Sequence, residues 1–378
     1  MQFIAKGAFG LEGLIKQDLT RLGALRVTPL PTGGVLFEGD LALALRANLW
    51  LRTADRVLLQ MGRFPARTFD ELFEGIRALN WEDVLPDDAQ LPVKAHCARS
   101  QLMSPSDCQS IAKKAVARRM QERRGLNWLG ESGAPHEIDI GILKDEVTVG
   151  LNMSGAALSR RGYRTLNGEA PLRETLAAAV ALWSPWRPNT LLHDPCCGTG
   201  TLLIEAAFIA LDRAPGLMRS VDCEAWPAMD AHAVQTARGE AAERFAEGAK
   251  RPLRLSGSDI DAQALELARR HLVQAGLAGR VSLEKKDVRD LRLPPGGGAV
   301  LTNPPYGERL GDRRAAQAVA RQLGELMRRS SGWSMAALTA DTGFEKAFGR
   351  RADKRRRLYN GRIECELMTY NGRGGERP

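Results

Sequence analysis

From residue 171 to the end, short apolar strands alternate with amphipathic helices. No other feature constrains the fold as much. The pattern reads helix 171–183, strand 190–193, helix 200–211, strand 253–258, helix 261–275, strand 280–284, strand 298–302, helix 314–329, strand 334–340 and a final strand near 363–370. Alternation of this kind predicts a mostly parallel sheet with helices on both faces. Open parallel sheets bind ligands beyond the carboxyl ends of their strands. The residues just past each strand are therefore the first candidates for a site.

The front of the chain reads differently. Apolar stretches at Phe3-Ile4 and Val35-Leu36-Phe37 flank one helical pattern from Leu11 to Leu22, and Gly33-Gly34 marks a hairpin corner. Together they predict a small α+β unit. Further on, "TFDELFEGIRALNW" has helical spacing and "LPVKAHC" is a short strand. Ser106 or Asp107 is expected to cap the next helix, "CQSIAKKAVARRMQERRG". Ile111, Ala112, Ala115 and Val116 fall on one arc of that helix, Lys113, Lys114, Arg118 and Arg124 on the other, and Gly125 can stop it. "HEIDIGILKDEVTVGLNM" then reads as two strands joined at Lys144-Asp145. The polar stretch "SGAALSRRGYRTLNGEAP", closed by Pro171, is the natural linker. The expected division is 1–45, 46–155, a linker at 156–170, and 171–378.

Composition narrows the function. No uncharged apolar run reaches the ~18 residues of a membrane helix, and "MQFIAKGAFGLEGLI" lacks the shape of a signal peptide. A cytoplasmic protein with no membrane partner is expected. The six cysteines include no C-x-x-C pair and none lies near histidines at zinc-ligand spacing, so they read as reduced thiols and no metal is expected. A net charge of +9 favours a polyanionic partner. Arginine outnumbers lysine 43 to 11, however, as a GC-rich genome alone would produce. Charge does not decide the matter. The basic arc, taken alone, reads first as a solvated helix face.

The motifs are more specific. "TLLHDPCCGTGTLLIEAAFIA" is a strand, a glycine turn and a helix, in which Gly198 and Gly200 allow close backbone approach to a ligand. A diphosphate fingerprint would place a third glycine where this chain has Leu203, which points to a smaller nucleoside. In "LSGSDIDAQALELARRHL", Asp259 ends a strand and can accept from both hydroxyls of a ribose. Asp259 or Asp261 could instead cap the following helix, a task that suits Asp261. Asp287, in "LEKKDVRDL", stands at a third strand end, within reach of an adenine amino group.

"GGGAVLTNPPYG" gives the fourth strand and its sequel, Asn303-Pro304-Pro305-Tyr306. An amine on a planar base is a poor nucleophile because its lone pair is delocalised into the ring. The Asn303 side-chain oxygen and the Pro304 carbonyl can accept its hydrogens and favour a more tetrahedral nitrogen, ready to attack a methyl sulfonium. The prolines present that carbonyl without competing donors. Tyr306 can stack on the base. The corner reads as preorganisation.

With these motifs in place, the chain resembles the class I S-adenosylmethionine-dependent methyltransferases that act on amines. More narrowly, it resembles the THUMP-domain family that methylates the N2 amine of a guanosine in 23S ribosomal RNA. The likeness runs nearly end to end, through "VKAHCARSQLMSPSDCQSIAKKAV", "VGLNMSGAALSRRGYR", "APLRETLAAAVALW", "DPCCGTGTLLIEAA", "NPPYGERLG" and "KRRRLYNGRIECELMTY". It implies a Rossmann-like domain with a mostly parallel seven-stranded sheet, preceded by a ferredoxin-like α+β unit and a THUMP RNA-binding domain. It implies S-adenosylmethionine contacts from Asp194, Gly198, Gly200, Asp259 and Asp287, with Asn303 to Tyr306 at the target amine. Cys196, Thr199, Ile260 and Val288 join the candidate cofactor set, as does Asn303. Arg309 joins Lys113, Lys114, Arg118 and Arg124 as a candidate RNA contact. The long gap between Gly200 and Asp259, containing "DRAPGLMRSVDCEAWPAMD", also looks like the ribosomal-RNA branch.

The expected partner is 23S ribosomal RNA or its precursor particle, bound by a monomer. The same N-P-P-Y chemistry also serves tRNA guanine-N2, DNA adenine and release-factor glutamine methylation. A THUMP-like front half favours structured RNA. A non-catalytic RNA-binding assembly factor is the alternative from another class.

Overall fold

The structure, a computed structural model, describes residues 1–31, 33–125, 128, 130–164, 172–306 and 312–372. It divides into two compact units, one built from residues 1–7, 15–158 and 219–240, the other from 8–14, 159–218 and 241–378.

The first unit is organised by a sheet of β1 (Gln2–Gly7), β2 (Leu25–Leu30), β3 (Gly34–Glu38), β4 (Ala54–Pro65), β5 (Val93–Ala98), β6 (Ile138–Leu143) and β7 (Glu146–Asn152), in the order β2-β3-β1-β4-β7-β6-β5. Helices α1 (Glu12–Arg21), α2 (Leu41–Trp50), α3 (Phe69–Arg77) and α4 (Pro105–Arg124) punctuate these strands. The expected corner between β6 and β7 is there, with Lys144 and Asp145 at φ +53° and +63°. Two positive φ values suit the right-handed twist of a tight hairpin. Asp145 anchors the corner by accepting from Gln101 N and Ser100 Oγ, both at 2.7 Å.

Helix α4 buries Cys108, Ala112, Ala115, Val116 and Met120, and packs on α3 and β5. Its start differs from the sequence expectation. Neither Ser106 nor Asp107 is the cap. Ser104 Oγ accepts from Asp107 N at 3.4 Å and Pro105 takes the first helical position, where no donor is needed. Gly125, left-handed at φ +66°, ends the helix as expected.

Residues 219–240 fall between the first and second strands of the later motif series, yet they pack within this first unit. Buried Trp226 stacks on His136 with centroids 4.9 Å apart, and Cys223 N donates to Met153 O at 3.1 Å.

The second unit holds β8 (Leu192–Asp194), β9 (Leu255–Asp259), β10 (Ser282–Lys285), β11 (Gly298–Thr302), β12 (Trp333–Thr339), β13 (Lys354–Asn360) and β14 (Ile363–Tyr370), in the order β10-β9-β8-β11-β12-β14-β13. The first five run parallel; β14 is antiparallel to β12, and β13, antiparallel to β14, runs in the direction of the first five. The helices are α5 (Glu174–Trp183), α6 (Thr201–Ala210), α7 (Ala231–Ala249), α8 (Ala262–Gln274), α9 (Asp312–Arg329) and α10 (Phe344–Phe348); residues 231–240 of α7 count with the first unit. One face of the sheet is covered by an apolar cluster containing Leu203, Phe208, Leu272 and Leu338, the other by one containing Leu323, Met335, Phe344 and Tyr370. Strand β13 was not read from the sequence, because its run of Lys354, Arg355, Arg356 and Arg357 masks the alternation that would mark a strand.

The stretch expected to be a linker is firmly held where it is described. Arg161 and Tyr163 are fully buried, with Arg161 Nε 3.4 Å and Tyr163 Oη 3.2 Å from Glu205 Oε1 of α6. Residues 165–170 of that stretch, and Pro171, lie outside the described residues.

Candidate active site

Sheet order fixes the site. β8 has β9 on one side and β11 on the other, so the strand sequence reverses there, at the carboxyl ends where open sheets take ligands. Asp194, Asp259, Asp287 and Asn303 all stand at or just past the ends of neighbouring parallel strands.

The glycine turn between β8 and α6 is pinned by its surroundings. Asp194 Oδ1 accepts from Cys196 N at 3.1 Å, Cys197 N donates to Ser258 O at 3.0 Å, and Gly198 N donates to Asp259 Oδ2 at 2.8 Å. Gly198 and Gly200 take φ of +49° and +83°, which only glycine adopts at little cost. A Cβ at Gly198 would meet nothing within 4 Å, so a ligand can approach the backbone there. Burial pushes the Asp194 carboxyl up to about 7. Burial also pushes the Cys196 and Cys197 thiols well up, which leaves neither a nucleophile.

The two acids of "SDIDA" divide as the sequence suggested in one respect. Asp261 caps α8, its Oδ1 accepting from Gln263 N at 2.8 Å. Asp259, half-buried, keeps lone pairs for a ligand beyond its bonds to Gly198 N and, at 3.0 Å, Asp261 N. Ile260 is 64% exposed beside it, an apolar face for a flat ring. Asp287 is engaged by Arg289, whose Nη2 lies at 2.8 Å and whose guanidinium holds the carboxyl below its usual range. Val288 is buried in the apolar cluster under α9.

Asn303 directly follows β11, with Pro304 buried and Pro305 exposed. Tyr306 packs partly buried against the cluster containing Leu203, and its hydroxyl donates to Asn303 Oδ1. The two side chains assigned to amine and base are thus already linked. Arg309 lies outside the described residues.

The basic arc of α4 belongs to the first unit and carries its own counter-charges. Lys113 Nζ lies 2.7 Å from Glu131, Arg118 Nε 2.7 Å from Glu122, and Arg124 Nη1 3.4 Å from Asp87. Lys114 Nζ sits 6.0 Å over the Phe73 ring. Among the described residues no group of three or more His, Cys, Asp or Glu could hold a metal, and no helix is long and apolar enough to cross a membrane.

Sequence reasoning missed His193 on β8. Its ring nitrogens bridge Ser256 Oγ at 2.8 Å and Ser258 Oγ at 3.1 Å, tying β8 to β9 below the acids. Burial brings it down to about 4, so it stays neutral. No sequence signal marks it, because its partners lie some 60 residues away and are ordinary serines.

Strand order, glycine turn and strand-end acids define a class I methyltransferase that uses S-adenosylmethionine. The comparisons name the family. Residues 161–369 match the RMKL-like methyltransferase domain, residues 2–58 the RlmL ferredoxin-like domain and residues 66–152 the THUMP domain. The chain belongs to this RlmL-like family of THUMP methyltransferases. It is 38% identical over 369 residues to YpsC of Bacillus subtilis (strain 168), described as a candidate RNA methyltransferase, covering 97% of this chain and 95% of that one. It is also 38% identical over 379 residues to the ribosomal RNA large subunit methyltransferase K/L of Methylococcus capsulatus, covering 98% of this chain and 51% of that protein. The chain thus spans about half the length of the K/L relatives it matches. Among solved structures, a predicted N6-adenine-specific DNA methylase from Listeria monocytogenes is 43% identical with a TM-score of 0.92, covering 98% of this chain and 96% of that one. SMU.472, a candidate methyltransferase solved with S-adenosylhomocysteine, is 39% identical with a TM-score of 0.93 and covers 99% of each chain.

Proposed function

We propose that the chain methylates the exocyclic N2 amine of a guanosine in 23S ribosomal RNA, as a cytoplasmic monomer acting on the RNA or its precursor particle. One observation carries the reading: Asn303 and Tyr306 stand together at the end of β11, next to the strand whose glycine turn is pinned by Asp194 and Asp259. The THUMP domain in the same chain and the K/L relatives favour ribosomal RNA as the substrate.

The residues fit a nucleoside sulfonium. Asp259 offers a carboxylate to the ribose hydroxyls, Ile260 an apolar face to the base, and Gly198 an open backbone. When bound, the cofactor would supply an electrophilic methyl group. The amine nitrogen bonds to it as the sulfur–methyl bond breaks, S-adenosylhomocysteine leaves, and the amine gives up one hydrogen as a proton to water. Asn303 Oδ1 and Pro304 O accept the amine hydrogens. For this, Tyr306 must turn its hydroxyl away from Asn303 and lay its ring on the target base. Phosphates are held by the first unit, through Lys113, Lys114, Arg118 and Arg124, and by Arg309. Phosphate contacts of this kind fix register and orientation. The working division is a ferredoxin-like unit at 1–45, the THUMP domain at 46–155, a linker at 156–170 and the methyltransferase domain at 171–378.

The test is direct. The full chain is incubated with labelled S-adenosylmethionine and 23S ribosomal RNA from a strain lacking the gene, and the nucleosides are separated by mass. N2-methylguanosine is the expected product. N6-methyladenosine would move the reading to the adenine chemistry named for the Listeria structure. No transfer, with the cofactor still bound, would favour the assembly factor.

A further inference from the structure

Helix α8 runs directly beneath the glycine turn. A Cβ on Gly200 would meet the Ala268 Cβ at 3.3 Å, and one turn later His271 Nδ1 lies 3.1 Å from the carbonyl oxygen of Thr199. His271 is 1% exposed, and its Nε2 has no hydrogen-bond partner among the described residues. The carbonyl can only accept, so Nδ1 carries the ring proton and donates. Burial lowers the affinity of the ring for a second proton, and the nearby Arg164 guanidinium lowers it further.

This bond has a particular geometry. Thr199 C=O and Gly200 N–H belong to one peptide plane. Gly200 N donates to Cys197 O at 2.8 Å while Thr199 O accepts from His271, so the plane is held at both ends. The adjacent residue, Gly200, sits at φ +83°, where glycine moves between regions with little steric resistance. Held at one end only, that plane could rotate. The turn would then lose the shape that opens Gly198 to a ligand.

We propose that His271 is a positioning residue of the cofactor site. Its Nδ1–H fixes the 199–200 peptide plane and so keeps the glycine turn in its S-adenosylmethionine-binding shape. It touches the cofactor only through the turn. The proposal rests on the assignment of that turn to the cofactor.

Asparagine and glutamine separate the claim from simple packing. An asparagine amide nitrogen falls near the position of the imidazole Nδ1, whereas a glutamine amide nitrogen falls near Nε2, away from Thr199. S-adenosylmethionine dissociation constants are measured by calorimetry on the full chain for His271→Asn, His271→Gln, His271→Leu and Asp259→Ala, alongside melting temperatures. The expected result is affinity within about twofold of the parent for His271→Asn and a loss of about 3- to 10-fold for His271→Gln and His271→Leu, the scale of one neutral hydrogen bond. If His271→Gln binds as well as His271→Asn, or both bind as weakly as His271→Leu at equal melting temperature, the positioning role is wrong. Asp259→Ala separates the two layers. If it weakens binding while His271→Leu does not, only the role of His271 falls. If neither weakens binding, the cofactor assignment of the turn falls with it.

Discussion

Helix α4 of the first unit and the strand ends of the second are both rich in charge, but they use it in opposite ways. On α4, Lys113, Arg118 and Arg124 each meet a carboxylate within 4 Å, and Arg119 meets Glu82 at 2.7 Å. At the strand ends, Asp259 meets the Gly198 N–H of the turn it shapes, while Asp194, buried and with its carboxyl pushed up to about 7, accepts from Cys196 N. Exposed ion pairs are worth little and can exchange for phosphate. A carboxylate pinned by backbone donors is preorganised, with lone pairs aimed at whatever the turn admits. The lesson is that charge density alone marks a surface, and charge tied to a strand end marks a site.

The contrast can be strained from several sides, beginning with the largest effect. Trp226→Ala removes a buried indole from the first unit, which should cost about 3–5 kcal/mol as large-to-small changes in a core do. Chemical denaturation should show that loss while S-adenosylmethionine still binds to native protein. Equal damage to both properties would mean the two units are not separable in function. A fragment ending at residue 165 lacks this indole and should fold poorly.

Asp259→Ala should weaken S-adenosylmethionine by one to two orders of magnitude, since a charge-assisted hydrogen bond contributes about 1.5–3 kcal/mol. Loss of the Gly198 contact adds to the effect. An unchanged dissociation constant would remove Asp259 from the pocket.

Tyr306 sharpens the site half of the comparison. Stacking on a base is worth about 1–3 kcal/mol, so Tyr306→Ala should lower kcat/KM for RNA more than Tyr306→Phe. If phenylalanine is as harmful as alanine, the hydroxyl on Asn303 matters more than the ring.

The smallest effect belongs to α4. Changing Lys113, Lys114 and Arg118 together to glutamine should raise the RNA KM and flatten its salt dependence by less than about one unit of slope per cation, because each phosphate contact is made at the expense of an existing partner. A slope identical to the parent's would leave the arc a self-neutralised helix face.

Much of the second unit was legible because its signals are local. A strand, a glycine turn and a helix lie within one short stretch, and Asn303 follows its strand without a gap. The capping role of Asp261 was readable for the same reason. What the sequence concealed depends on distant partners. Apart from Glu122, the in-helix partner of Arg118, the counter-ions of α4 come from Glu82, Asp87 and Glu131, outside the helix. Trp226 finds His136 some 90 residues away, and nothing in "CEAWPAMD" announces that. The Arg289 side chain that occupies Asp287 sits two residues off, but a strand-end acid looks the same with or without it.

The central claim is that Asn303 activates the amine while other residues hold the cofactor. Transfer from labelled S-adenosylmethionine to 23S ribosomal RNA, measured for Asn303→Ala beside the cofactor dissociation constant of the same variant, tests it most directly. The account predicts no detectable transfer with cofactor affinity within a few-fold of the parent. Transfer at the parent's rate would contradict it.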